Sequence, residues 1–281
     1  MPRDYTVTKR KICTPGGEME ILILQPVRKL PIAQTPAILW IHGGGYCTGM
    51  KEMVFMSRAL PLVRKYGAVV VTPEYRLAGK APYPAALEDC YAALLYLKDH
   101  ARELGCNRDQ IMVGGESAGG GLTAAVCMYA RDRGQVNIAF QMPLYPMLDD
   151  RDTDSSRNNH RFPWNTRYNH AAWKQYLRKT GGETPAYAAP ARQTDYTGLP
   201  PAYTFVGRFE PFYCETVDYI EKLRKAGVPA QLDVYRSGFH AFDLLLPFRG
   251  ISKKAARVFE QQFLKAREQY FAPQEEAHGD G

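Results

Sequence analysis

No stretch of the sequence approaches the roughly 18 consecutive apolar residues that a membrane-spanning helix needs. The opening residues, MPRDYTVTKRKIC, also lack the apolar core of a secretion signal. A soluble, unexported chain with no membrane partner is expected. Cysteine is sparse: Cys13, Cys47, Cys90, Cys106, Cys127 and Cys214 lie far apart, with neither a Cys-x-x-Cys pair nor a dense framework. Such thiols suit a reducing cytoplasm and exclude a disulfide scaffold. Histidine is equally scattered: His42, His100, His160, His170, His240 and His278 form no His-Glu-x-x-His or similar spacing, so no metal is implied. Positive charge exceeds negative, 36 Lys and Arg against 29 Asp and Glu, yet no basic run interleaved with aromatics accompanies it. That argues against a nucleic-acid partner. Internal repeats are absent too.

What is present is enough apolar residue for a sizeable core, 45% of 281 residues, in a length common for one α/β domain. YTVTKRKICT and EMEILILQPV flank a Pro-Gly-Gly turn and predict a β-hairpin starting near residue 5. Strand and helix patterns then alternate. AILWI precedes a helical stretch in EMVFMSRALPLVRKYG, and AVVVTPEYR precedes a long helix from about Pro84 to Leu104. QIMVGG, a helix, NIAFQMPLYP, AYTFVG, AQLDVYR and a closing helix from about Ser252 to Phe271 follow. The alternation predicts an α/β fold, a mostly parallel central sheet flanked by helices on both faces, with residues 1–271 as one domain. Residues 149–185 break the rhythm. They are polar, Arg-rich and aromatic, helical only from about Asn169 to Thr180, and are expected to form a small cap insertion, about 150–185, over a site. The tail, 272–281, has almost nothing to bury and is expected to be disordered.

Three motifs carry chemistry. In GGESAGGG, Gly115, Ser117 and Gly119 fit Gly-x-Ser-x-Gly between an apolar strand and an Ala-rich helix. A serine on so tight a strand-to-helix turn is presented at the top of a sheet, and Gly115 and Gly119 let the turn close against neighbouring strands. The same turn sets Ser117 at a helix N-terminus, with the Ala118 N–H free to donate to a developing oxyanion. Taken alone the motif equally describes a Gly-rich turn with an incidental serine. HGGG, His42 to Gly45, shifts that balance, because it follows AILWI, where further oxyanion donors would come from. Gly44 and Gly45 are the expected donors, Gly43 shapes the loop, and His42 pins it through a ring hydrogen bond. Third, RSGFHAF sets His240 after the last strand, in the order nucleophile, acid, histidine. The acid should follow AYTFVG, where Glu210 stands immediately before Pro211. Glu215, Asp218 and Asp243 compete in sequence, but the first two fall within a helix and Asp243 shares the histidine's own loop.

Together these stretches resemble the hormone-sensitive-lipase-like group of α/β-hydrolase esterases, over about Glu20 to Phe271. HGGGY and GESAGGG are similar to the family's two signatures. EYRLAGKAPYPAALEDC and YAAPARQTDYTGLPPAYTFVG are similar to its intervening tracts. The resemblance implies the α/β-hydrolase fold and a serine carboxylesterase with catalytic Ser117, Glu210 and His240. It also implies an oxyanion hole of Gly43, Gly44, Gly45 and Ala118, no cofactor, and a small-molecule ester as partner, in a monomer or homodimer. The chain departs from the family's usual Asp-Pro-Leu-x-Asp-Glu at Glu210–Glu215, and from Ala-Pro-Glu at Ala78, Gly79 and Lys80. Arg76 and Asp89 are expected to form a structural ion pair, and Glu116 to brace the oxyanion loop. With no helical N-terminal cap, the pocket is expected to be open and to favour short acyl groups; alternatively Phe162, Trp164 and Trp173 line a long groove. An amidase or aryl-formamidase would use the same machinery, and a non-catalytic receptor could retain the scaffold.

Overall fold

The Pro-Gly-Gly turn closes a hairpin of β1 (Tyr5–Thr14) and β2 (Gly17–Pro26), with Gly17 at φ +108°, a conformation that side chains disfavour. The structure, a computed structural model, describes residues 4–275. After the hairpin come β3 (Pro36–Ile41), a 3-10 helix at Lys51–Met56, α1 (Ala59–Tyr66), β4 (Val69–Pro73) and α2 (Ala85–Asp99). β5 (Asn107–Glu116), α3 (Ala118–Arg133), β6 (Phe140–Leu144), α4 (Thr166–Tyr176) and β7 (Ala202–Gly207) follow, then α5 (Tyr213–Lys225), β8 (Ala230–Tyr235), α6 (Phe242–Leu245) and α7 (Gly250–Gln269).

One sheet of eight strands runs in the order β1-β2-β4-β3-β5-β6-β7-β8. β2 is antiparallel to β1 and β4, and every later pairing is parallel. Side chains alternate across it as strand geometry requires. Ala37, Leu39 and Ile41 of β3 face a core built with α2, α3 and α5, whereas Ile38 and Trp40 face the one built with α1 and α7. Both faces of β3 are therefore buried, and the strand reads as an unbroken apolar run.

Three expectations need correcting. The helix from Pro84 stops at Asp99, because the chain turns at His100 and Gly105 takes φ +74°, bringing the Cys106 N–H onto the Ala101 carbonyl at 2.8 Å. In the insertion the helix begins at Thr166, where the Asn165 side chain accepts from the Tyr168 N–H at 3.1 Å, and it ends at Tyr176. The tail is ordered further than its composition suggested. Asn137 Nδ2 donates to the Pro273 carbonyl at 2.6 Å, and the Ala272 N–H donates to the Asp109 carbonyl at 2.8 Å. The remaining part of that expectation, 276–281, lies outside the described residues.

Candidate active site

The loops that leave the carboxyl ends of β3, β5, β7 and β8 carry the residues singled out by sequence, at the edge where parallel sheets bind ligands. Ser117 leaves β5 at φ 58°, ψ −119°, a region seldom occupied by a residue with a side chain. Its surroundings hold it there: the Ser117 N–H donates to the Leu144 carbonyl, and the Ser117 carbonyl accepts from Gly121 and Met147, each at 3.0 Å. Small neighbours are a steric requirement. A Cβ on Gly115 or on Gly119 would overlap the Ile41 carbonyl of β3.

His240, beyond β8, places Nε2 2.9 Å from Ser117 Oγ, and its Nδ1 hydrogen-bonds to Glu210 Oε2. Glu210 Oε1 accepts from the Gly207 N–H at 3.0 Å, so both carboxylate oxygens face donors. An ionised carboxylate only accepts, so Nδ1 donates to it, and Nε2 is left to accept from the serine hydroxyl. Glu210 is fully buried and His240 and Ser117 nearly so. The rings of Phe212 and Tyr145 stand edge-on to the imidazole at 4.9 and 5.2 Å between centroids, restraining its plane.

His42 donates from Nδ1 to the Gly43 carbonyl at 2.8 Å and stacks on Tyr75 at 4.2 Å. Burial lowers its pKa and favours the neutral ring, which suits a structural pin. Gly44 and Gly45 have φ +119° and +58°, and the Trp164 indole lies so close to Gly45 that a Cβ there would overlap it. Ala118 is the first residue of α3, so no intrahelical carbonyl is available to its N–H. Gly43, Gly44, Gly45, Ser117 and His240 all line one cavity of about 240 Å³.

The remaining carboxylates divide clearly. Asp243 pairs with Arg58 at 3.0 Å, Asp218 pairs with Lys222 at 2.7 Å, and Glu215 accepts from the Leu148 N–H at 2.8 Å. Arg76 grips Asp89 through Nε at 2.8 Å and Nη2 at 2.9 Å. Glu116 departs from expectation. It braces Trp40 Nε1 at 2.8 Å and the Arg58 N–H at 3.0 Å, not the glycine loop, and burial pushes its carboxyl up to about 7.

Sequence reasoning missed much of the cavity wall: Met53 and Met56 from the 3-10 helix, and Leu244 and Leu245 from α6. The cluster MKEMVFM, three methionines in a short span, was the available signal, since methionine adapts to irregular apolar surfaces. Of the aromatics considered for a groove, only Trp164 lines the cavity. Trp173 is buried against Tyr46 at 5.4 Å, and Phe162 is exposed and packs on Phe239.

A family model described as alpha/beta hydrolase fold matches residues 38–244. Esterase LipI of Mycobacterium tuberculosis is 33% identical over 234 residues, which span 81% of this chain and 72% of that protein. Carboxylesterase NlhH of the same organism is 32% identical over 225 residues, 75% of this chain and 69% of that one. Among solved structures, Bacterial Heroin Esterase matches with a TM-score of 0.87 at 34% identity, over 94% of this chain and 84% of that one. Among the described residues, no helix is long and apolar enough to cross a membrane.

Proposed function

The chain belongs to the α/β-hydrolase family, within its hormone-sensitive-lipase-like esterases, and on that premise we propose that it cleaves small, short-acyl carboxylic esters through an acyl-enzyme on Ser117. One observation carries the reading: an unbroken hydrogen-bonded chain from Glu210 through His240 to Ser117, ending in an apolar cavity. Ser117 Oγ attacks the ester carbonyl while His240 Nε2 takes its proton, and Glu210 stabilises the resulting imidazolium. The carbonyl oxygen, now negative, is held by the N–H groups of Gly44, Gly45 and Ala118, with Gly43 shaping their loop. His240 returns the proton to the departing alkoxide. Water, activated by the same imidazole, then releases the acyl group and restores the serine. No step draws on a cofactor. Six free cysteines accord with a reducing, cytoplasmic setting.

The test is direct. A fluorophosphonate should label wild-type protein at Ser117, and Ser117→Ala, which fits the turn, should lose hydrolysis of p-nitrophenyl butyrate by about a thousandfold or more. Circular dichroism should show that variant folded. Substantial turnover by folded Ser117→Ala would overturn the mechanism.

A further inference from the structure

Beneath the cavity floor lies a cluster of charged side chains that the mechanism above does not use. Arg58, the residue before α1, donates its N–H to Glu116 Oε1 at 3.0 Å, and Glu116 directly precedes Ser117. The Arg58 side chain turns the other way: Nε lies 3.0 Å from Asp243 Oδ2, and Nη2 donates to the Asp243 carbonyl at 3.1 Å. Asp243 stands three residues beyond His240, at the start of α6, and is fully buried. One arginine thus ties together the loop that carries His240, the turn that carries Ser117, and the segment that carries Met53 and Met56. Trp40, Glu116 and Tyr145 of this cluster line the substrate cavity itself.

We propose that Arg58 is a positioning residue for ester hydrolysis: by joining Asp243 to Glu116 it fixes the His240 loop against the Ser117 turn. The pairing is chemically asymmetric. Two buried carboxylates lie within the field of one guanidinium, Asp243 in contact with it and Glu116 bound by the Arg58 backbone N–H, and neither Asp243 carboxylate oxygen has a hydrogen-bond donor among the described residues. The Tyr145 hydroxyl faces Asp243 without reaching hydrogen-bond geometry. Glu210, Tyr203 and Tyr235 lie within electrostatic reach of Asp243, while Trp40, Arg58, Asp243 and Tyr145 surround Glu116. Arg58 is the cation in contact with this cluster, and His240, edge-on to Tyr145 at 5.2 Å, is the other titratable group beside it. Removing one partner of a buried pair leaves the other charge uncompensated, and the strand ends are free to part when that charge appears. Burial raises both acids, Glu116 to about 7, so Glu116 passes from neutral to ionised across neutrality.

The experiment compares Arg58→Met, Arg58→Lys and Asp243→Asn with wild type on p-nitrophenyl butyrate between about pH 6 and pH 9. In folded Arg58→Met, kcat should fall about tenfold or more near neutrality while KM changes by less than about threefold. The deficit relative to wild type should deepen as pH rises, because Glu116 then ionises without the Arg58 counter-charge. Arg58→Lys keeps the charge but not the paired reach to the Asp243 carboxylate and main-chain carbonyl, and should recover part of the rate. Should Arg58→Met fail to fold, Arg58→Lys and Asp243→Asn carry the same comparison: reduced kcat with near-normal KM supports the proposal, and wild-type kcat in both overturns it. A folded Arg58→Met with kcat within about twofold of wild type, or with a deficit that pH does not alter, also overturns it. The inference rests on Ser117 as nucleophile. An active Ser117→Ala would defeat that reading whatever Arg58 does, whereas an inert Ser117→Ala beside a fully active Arg58→Met defeats only the role of Arg58.

Discussion

At the proposed acid position Glu210 reaches His240 with one methylene more than aspartate would have, and its two oxygens are both committed. Oε2 takes the imidazole Nδ1–H and Oε1 takes the Gly207 N–H. An amide cannot satisfy both donors. Glu210→Gln must turn its NH₂ either toward Gly207, leaving a buried N–H unpaired, or toward Nδ1, where it forces the proton onto Nε2 and removes the base from Ser117. We therefore expect kcat to fall by about 10² to 10⁴ in Glu210→Gln, with Glu210→Asp intermediate because its carboxylate stops short. Asp243→Asn should cost far less, on the order of tenfold, since Asp243 touches Arg58 and not the imidazole. Steady-state kinetics on the three variants, with folding checked by circular dichroism, orders them. A near-normal kcat in folded Glu210→Gln would falsify the assignment of Glu210 as the orienting acid.

At the scale of elements, the close crossing of α3 over β3 decides what the serine turn tolerates. Gly119 meets the Ile41 and His42 carbonyls where a side chain would begin, and backbone on both sides leaves nothing to swing aside. Gly119→Ala should therefore destabilise the protein by about 2 kcal/mol or more, seen as a lower urea midpoint, and lower activity with it. A wild-type midpoint would mean that α3 and β3 separate easily. The need for glycine here was legible in the sequence because its cause is local: a strand, a tight turn and a helix within a few residues. The insertion was legible only in outline. Its polar, aromatic composition suggested a covering segment, but not the contacts by which it reaches two loops. Ser155 Oγ donates to the Pro211 carbonyl at 2.7 Å, Asn159 Nδ2 donates to the Phe209 carbonyl at 3.1 Å, and Trp164 lies on Gly45. Those partners lie roughly 50 or more residues away along the chain, beyond the reach of any spacing rule. The same distance hid Arg58, whose partners Glu116 and Asp243 are joined to it only by the sheet.

Across the whole molecule, the parallel strands bring four loops to one edge, and what roofs that edge sets the substrate. Helix α4 buries Trp173 and Tyr176 against Tyr46, so neither ring is free to line a groove. On the other side Met56 and Leu245 remain largely exposed, 73% and 54%, and leave a mouth open to water. The space between is about 240 Å³ and mostly apolar. Small pockets of this kind reward each acyl methylene only while it stays inside, at about 0.8 kcal/mol per buried CH₂. Lengthening the acyl group from acetyl to butyryl should thus raise kcat/KM by about tenfold, if both added methylenes are buried. Further carbons pass the mouth, gain little from one-sided contact with Met56 and Leu245, and lose chain entropy when held there. We expect p-nitrophenyl butyrate to exceed the dodecanoate by about tenfold or more in kcat/KM, measured below the aggregation limit of the longer ester. If the dodecanoate proves the better substrate, the exposed rim must close over long chains, and the cavity then represents only the inner end of a longer site.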